Sequence, residues 1–103
     1  MLVTTVETLP GQNYRVIGLV RGSTVQTVNA FRDIGASFKT LVGGEIVKYN
    51  EMMAKARNLA TDRMVAEAQS LGADAVICTR FTTSSIMQGA AEIMAFGTAV
   101  KFI

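Results

Sequence analysis

The chain has no histidine, no tryptophan, one cysteine and one proline among its 103 residues. Each scarcity removes a class of answer. Without histidine, Ser-His and Cys-His nucleophile pairs are excluded within one chain, and the commonest general base and metal ligand is missing. A lone cysteine forbids an internal disulfide, falls far short of the ligand set of a structural zinc, and fits a reduced, cytoplasmic setting. Charge is scarce as well. Only 17% of residues are charged, and ten basic and eight acidic residues leave a net +2. That balance is too weak and too dispersed to argue for nucleic acid or a membrane surface. No apolar run approaches the ~18 residues of a membrane helix. Met1–Leu9 lacks the basic region and sustained apolar core of a secretory signal. With no low-complexity tract, linker or internal repeat, the expectation is a single domain over residues 1–103.

What is present is apolar: half of the residues are hydrophobic. Leu2–Val6 reads as a short strand stopped by Pro10-Gly11. Tyr14 to about Val25 reads as a second strand, with Gly18 and Gly22 marking a bend or a close backbone approach. Phe31, Ile34, Phe38 and Leu41 recur at helical spacing, predicting a short helix over 28–41. The strongest pattern runs over 45–71, where Ile46, Tyr49, Met53, Ala56, Ala60, Met64 and Leu71 form one stripe of a long helix. Gly72 then stands where a left-handed cap residue belongs. Ala73 to about Ile86 and Glu92–Ile103 read as two more strands joined by a hairpin loop at Met87–Ala91. The expected fold is α+β in the order β-β-α-α-β-β, a small antiparallel sheet covered on one face by the long helix plus the short one.

That arrangement leaves an apolar surplus. Alternation in Tyr14–Arg21 puts Tyr14, Val16, Gly18 and Val20 on one face and Ile17 and Leu19 on the other. The last strand is also apolar on both faces. Four strands are about 19 Å across, whereas a helix is about 10–12 Å wide. One helical layer cannot cover both faces, and a large bare apolar area marks an interface. The chain is therefore expected to be a homo-oligomer whose partner is itself.

Several stretches together resemble the YbjQ family of small bacterial proteins: Gly18-Leu19-Val20-Arg21-Gly22, Phe31-Arg32-Asp33, Val42-Gly43-Gly44, Tyr49, Ala56-Arg57, Leu71-Gly72-Ala73-Asp74-Ala75-Val76 and Gly97-Thr98-Ala99-Val100. The resemblance spans nearly the whole chain in order and spacing. It implies a dodecin-like subunit, a ring-shaped pentamer, and heavy-metal binding as a cofactor role.

The candidate metal ligand is Cys78, the only thiol; its apolar neighbours Val76 and Ile77 equally suit a small buried hydrophobe. The six methionines offer soft thioethers, but helical and strand spacing assigns them to the core. Gly43-Gly44 lacks the lysine and spacing of a phosphate loop. Arg32, Asp33 and Asp74 are charges in apolar surroundings suited to junctions between subunits. Thr79 and Thr82 begin a hydroxyl-rich segment that can line a pocket between subunits or simply face solvent. No paired acid and base is visible, so the expectation is a non-enzymatic oligomer binding a metal or small ligand at its junctions. Two alternatives stand beside it: an enzyme with an inter-subunit site of carboxylates and hydroxyls, and a purely structural or adaptor oligomer.

Overall fold

The computed structural model describes residues 1–26, 43–87 and 90–103, with helix side chains from residue 50 onward. Among these residues the order is β1 (Leu2–Val3), β2 (Tyr14–Gln26), α1 (Gly43–Ser70), β3 (Ala75–Met87) and β4 (Ala90–Phe102). The strands form one sheet in the order β1-β3-β4-β2. β2 and β3 each run antiparallel to β4, but β1 lies parallel to β3 through Leu2↔Ala75 and Val3↔Val76. The sheet is therefore mixed, not antiparallel throughout. The chain that leaves β1 has a long excursion before its next strand, so β1 need not return as a hairpin. The short helix expected over 28–41, with Arg32 and Asp33, lies outside the described residues. So do the side chains of Ile46 and Tyr49. The described order is thus β-β-α-β-β.

The long helix forms as its pattern dictates. Ala56, Ala60, Met64 and Ala68, four residues apart, are fully or almost fully buried. They pack on Val20, Val76, Ile93, Ala95 and Ala99, with Met53 and Ile17 at the margin. Three alanines in that row let the helix sit close. The closest point is Gly22, where an added Cβ would strike the helix backbone at Ala60 and Met64. Glycine is required there for want of space. At the helix end Gly72 has φ 77°. Its N–H donates to Gln69 O at 3.0 Å and the Ala73 N–H donates to Ala68 O at 3.0 Å. These two bonds are a Schellman cap. Leu71, expected on the buried stripe, is 50% exposed, because the chain is already turning away.

Three bulges interrupt the strands; one leaves Ile86 unpaired near the end of β3, and the other two reset the faces. On β2, Val16 pairs with Val100 and Gly18 with Ala99, leaving Ile17 as the extra residue. The slip turns Ile17 toward the helix with Val20 and leaves Val16 and Leu19 each 61% exposed. The simple alternation expected for Tyr14–Arg21 is corrected by that single insertion. On β3, Ile77 pairs with Thr98 and Arg80 with Phe96, so Cys78 and Thr79 together oppose Gly97. A Cβ on Gly97 would come within 3.2 Å of Thr79 Oγ1 and 2.7 Å of Val76 Cγ1. Glycine at this position makes room for the bulge.

Among the described residues, the sheet face away from the helix is covered at one end only. There Ala75, Ile77 and Val100 are buried, with Leu9, Tyr14, Cys78 and Phe102 packed around them. The N-terminal loop therefore shields part of the surface that the sequence leaves bare. Toward the hairpin end, Leu19 and Val25 remain exposed and Met94 and Phe96 half-buried.

Candidate functional site

The β3 bulge gathers most of the chain's unusual chemistry. Cys78 has φ 56°, the only left-handed non-glycine among the described residues, a conformation that disfavours a side chain. Its backbone is held by a bond from its N–H to Val6 O at 2.9 Å. The next residue repeats the tie, the Thr79 N–H donating to Thr4 O at 3.0 Å. Arg80 closes the segment by donating from Nη1 to Thr79 O at 2.9 Å and to Thr5 O at 3.2 Å. The N-terminal segment and the bulge thus fix one another.

Cys78 is a free, half-buried thiol packed with the small cluster under Leu9 and Tyr14. Thr79 is 4% exposed, and its Oγ1 has no hydrogen-bond partner among the described residues. An orphaned buried hydroxyl is uncommon and costs stability. Thr82 lies two residues beyond Arg80, exposed on β3 and paired with Met94.

Asp74 stands apart, at the entry to β3. Its Oδ2 accepts from the Phe102 N–H at 2.8 Å and lies 3.5 Å from Lys101 Nζ. The Phe102 N–H holds the carboxyl below its ordinary range; burial opposes this, and Lys101 adds to it. The carboxylate is occupied in fastening β3 to β4. It is not poised for proton transfer.

The candidates read from the sequence therefore do not converge. Cys78 and Thr79 are neighbours at one bulge, Asp74 is committed across the sheet, Thr82 is on the surface, and Arg32 and Asp33 are outside the described residues. No three His, Cys, Asp or Glu side chains come together among the described residues, and no cavity is present among them. Among the described residues of one chain the donors do not fit a heavy metal: the sole thiol is packed in an apolar cluster and the Asp74 carboxylate is already bonded. Sequence reasoning passed over Arg80 and Gly97, which clamp and accommodate the bulge. Gly97, an isolated glycine within a strand, was the available signal.

An α+β architecture of one mixed sheet under one long helix, with no cavity among its described residues, is the class that these observations define. The chain belongs to the YbjQ family, whose description reads "Putative heavy-metal-binding" and whose match extends over residues 1–103. It is 52% identical over 103 residues to a UPF0145 protein of Clostridium novyi, covering 100% of both chains. It is 54% identical over 102 residues to one of Thermotoga maritima, covering 98% of this chain and 96% of the other. A crystal structure of a DUF74-family protein of unknown function from Pediococcus pentosaceus superposes with a TM-score of 0.70 at 18% identity, covering 100% of this chain and 98% of the other. That likeness establishes the fold alone. No helix among the described residues is long and apolar enough to cross a membrane.

Proposed function

We propose that the protein is a non-enzymatic homo-oligomer, a dodecin-like subunit in a pentameric ring, that binds a small ligand at the junctions between its subunits. The observation that carries this reading is the half-covered sheet. Leu19 is 61% exposed and Val25 is 48% exposed on the face opposite the helix, beside Phe96 and Met94. The Cα radius of gyration is 16.9 Å, against about 13 Å for a compact domain of this length. A chain this extended leaves burial for neighbouring copies to supply. The described residues of a single chain enclose no cavity, and a ligand site between copies is in keeping with that. The count of five comes from the family resemblance.

The family description of metal binding is accommodated only if Cys78 thiols from several copies meet. Native mass spectrometry of protein purified from cells reads both parts together. The expected result is a single assembly of five subunits carrying a retained mass. A monomer at micromolar concentration would overturn the oligomer, and an assembly of bare polypeptide mass would overturn the ligand. Metal stoichiometry unchanged in Cys78→Ser would remove the thiol from any metal role.

A further inference from the structure

The sheet ends in two open edges of unequal kind. On one side, β1 and its continuation through Thr4 and Val6 reach only as far as Thr79. Beyond that point Arg80–Met87, all exposed, has no strand beside it among the described residues except β4. On the other side, β2 is an edge along its whole length among the described residues. A row of unpaired N–H and C=O groups is a template for another strand unless proline, inward charge or a bulge blunts it. The β3 stretch, Arg80-Phe81-Thr82-Thr83-Ser84-Ser85-Ile86-Met87, holds no proline, lysine or carboxylate, and is rich in residues that favour strands.

The two edges match in place, length and direction. β2 pairs with β4 from Arg21↔Phe96 to Gln26↔Ala91, and β3 pairs with β4 over the same rows, from Arg80↔Phe96 to Ser85↔Ala91, before a further bulge at Ile86. Both open stretches therefore occupy the same half of the sheet. A bulge lies inward of each, at Ile17-Gly18 on one and at Cys78-Thr79 on the other. Both strands run antiparallel to β4, so they run in the same direction as each other. Rotation about an axis along the strands brings one edge against the other with no slide, and repetition of that rotation closes a ring.

Resting on the oligomer reading above, we propose that Arg21–Gln26 of β2 in one copy pairs in parallel with Arg80–Ser85 of β3 in the next. The contact is heterologous, and it consumes both edges of every copy. An isologous β3–β3 pairing would leave every β2 edge bare. Two side chains must be accommodated. Arg63 donates from the helix to Ser23 O at the β2 edge; its long exposed side chain yields that carbonyl to a strand N–H. Arg21 and Arg80 share the Phe96 row, but Arg80 is directed back to Thr5 O and Thr79 O, which separates the like charges.

Disulfide trapping tests the pairing. In a Cys78→Ser background, Ser23→Cys and Thr82→Cys occupy the Met94 row on opposite edges, and neighbouring strands bring such residues within disulfide reach. Mild oxidation is expected to give a ladder of covalent multimers ending at the ring size. Pairing Ser23→Cys with Ser84→Cys, and Val25→Cys with Thr82→Cys, covers offsets of two residues. The single Thr82→Cys variant is expected to stay uncrosslinked. An intact oligomer by light scattering with no ladder at any offset overturns the edge pairing and leaves the oligomer standing. Efficient dimers from Thr82→Cys alone overturn it in favour of β3–β3 contact. A monomer overturns both readings. Hydrogen exchange on the unmodified protein guards against variants that fail to fold. Alternate amides in Arg80–Ser85 are expected to exchange at least about a hundredfold slower than unpaired edge amides, and fast exchange throughout overturns the pairing.

Discussion

Single atoms decide the stability of this fold at three positions. Gly22→Ala places a methyl group against the helix backbone at Ala60 and Met64. Backbone cannot swing aside, so the substitution is expected to cost about 3 kcal/mol, the upper range of overpacking, seen as a lowered urea midpoint. Thr79→Val keeps the shape and removes the orphaned hydroxyl; its expected effect is a gain of about 1 kcal/mol or no change, measured the same way. A clear loss would show that the hydroxyl is bonded in the assembled protein. Asp74 governs acid behaviour. Its folded carboxyl titrates below its unfolded value, so its contribution is present above the unfolded pKa and is lost as pH falls through the folded one. Asp74→Asn should therefore be less stable than the parent near neutrality, and the gap should close on acidification below the ordinary carboxyl range. Urea midpoints for both proteins across that window check the sign.

At the scale of elements, the helix and the long strands were legible and the register was not. The spacing of Ala56, Ala60 and Met64 and the glycine at position 72 define α1 to within two residues of its observed end. Those signals are local, and the helix answers to them. The Ile17 insertion and the Cys78-Thr79 bulge are different. Each depends on what faces the strand across the sheet, and a one-residue slip inverts every side chain beyond it. The parallel docking of β1 is likewise a tertiary choice that no pattern in Leu2–Val3 contains. The candidate residues are scattered within one chain for the same reason: Asp74, Cys78 and Thr82 are close in sequence but are dispersed by pleat and bulge. Gly72→Ala tests the part that was legible. Nothing crowds the position, and φ is 77°, so the cost is conformational alone, about 1 kcal/mol. Thermal or urea unfolding that shows no loss would mean that the cap is dispensable.

For the whole molecule, size and shape agree. A helix of 28 residues is roughly 42 Å long, and strands of 13 residues are roughly 43 Å. Helix and sheet are matched in length but not in breadth, and the mismatch leaves Leu19 and Val25 in water. Leu19→Lys with Val25→Lys should shift the assembly toward smaller species by at least about tenfold in dissociation constant, while far-ultraviolet circular dichroism is retained. Light scattering over a dilution series reads the shift, and an unaltered profile would place the interface elsewhere.

The N-terminal hexapeptide acquires a role from the strand that it borders. By bonding to Val76, Cys78 and Thr79, it acts as a doorstop, halting any visiting strand at the bulge. Remove it, and the margin of β3 lies open from Ala75 to Met87. A truncated chain would then have no stop to its zippering, and fibrous polymer would be the expected product in place of the closed ring proposed above.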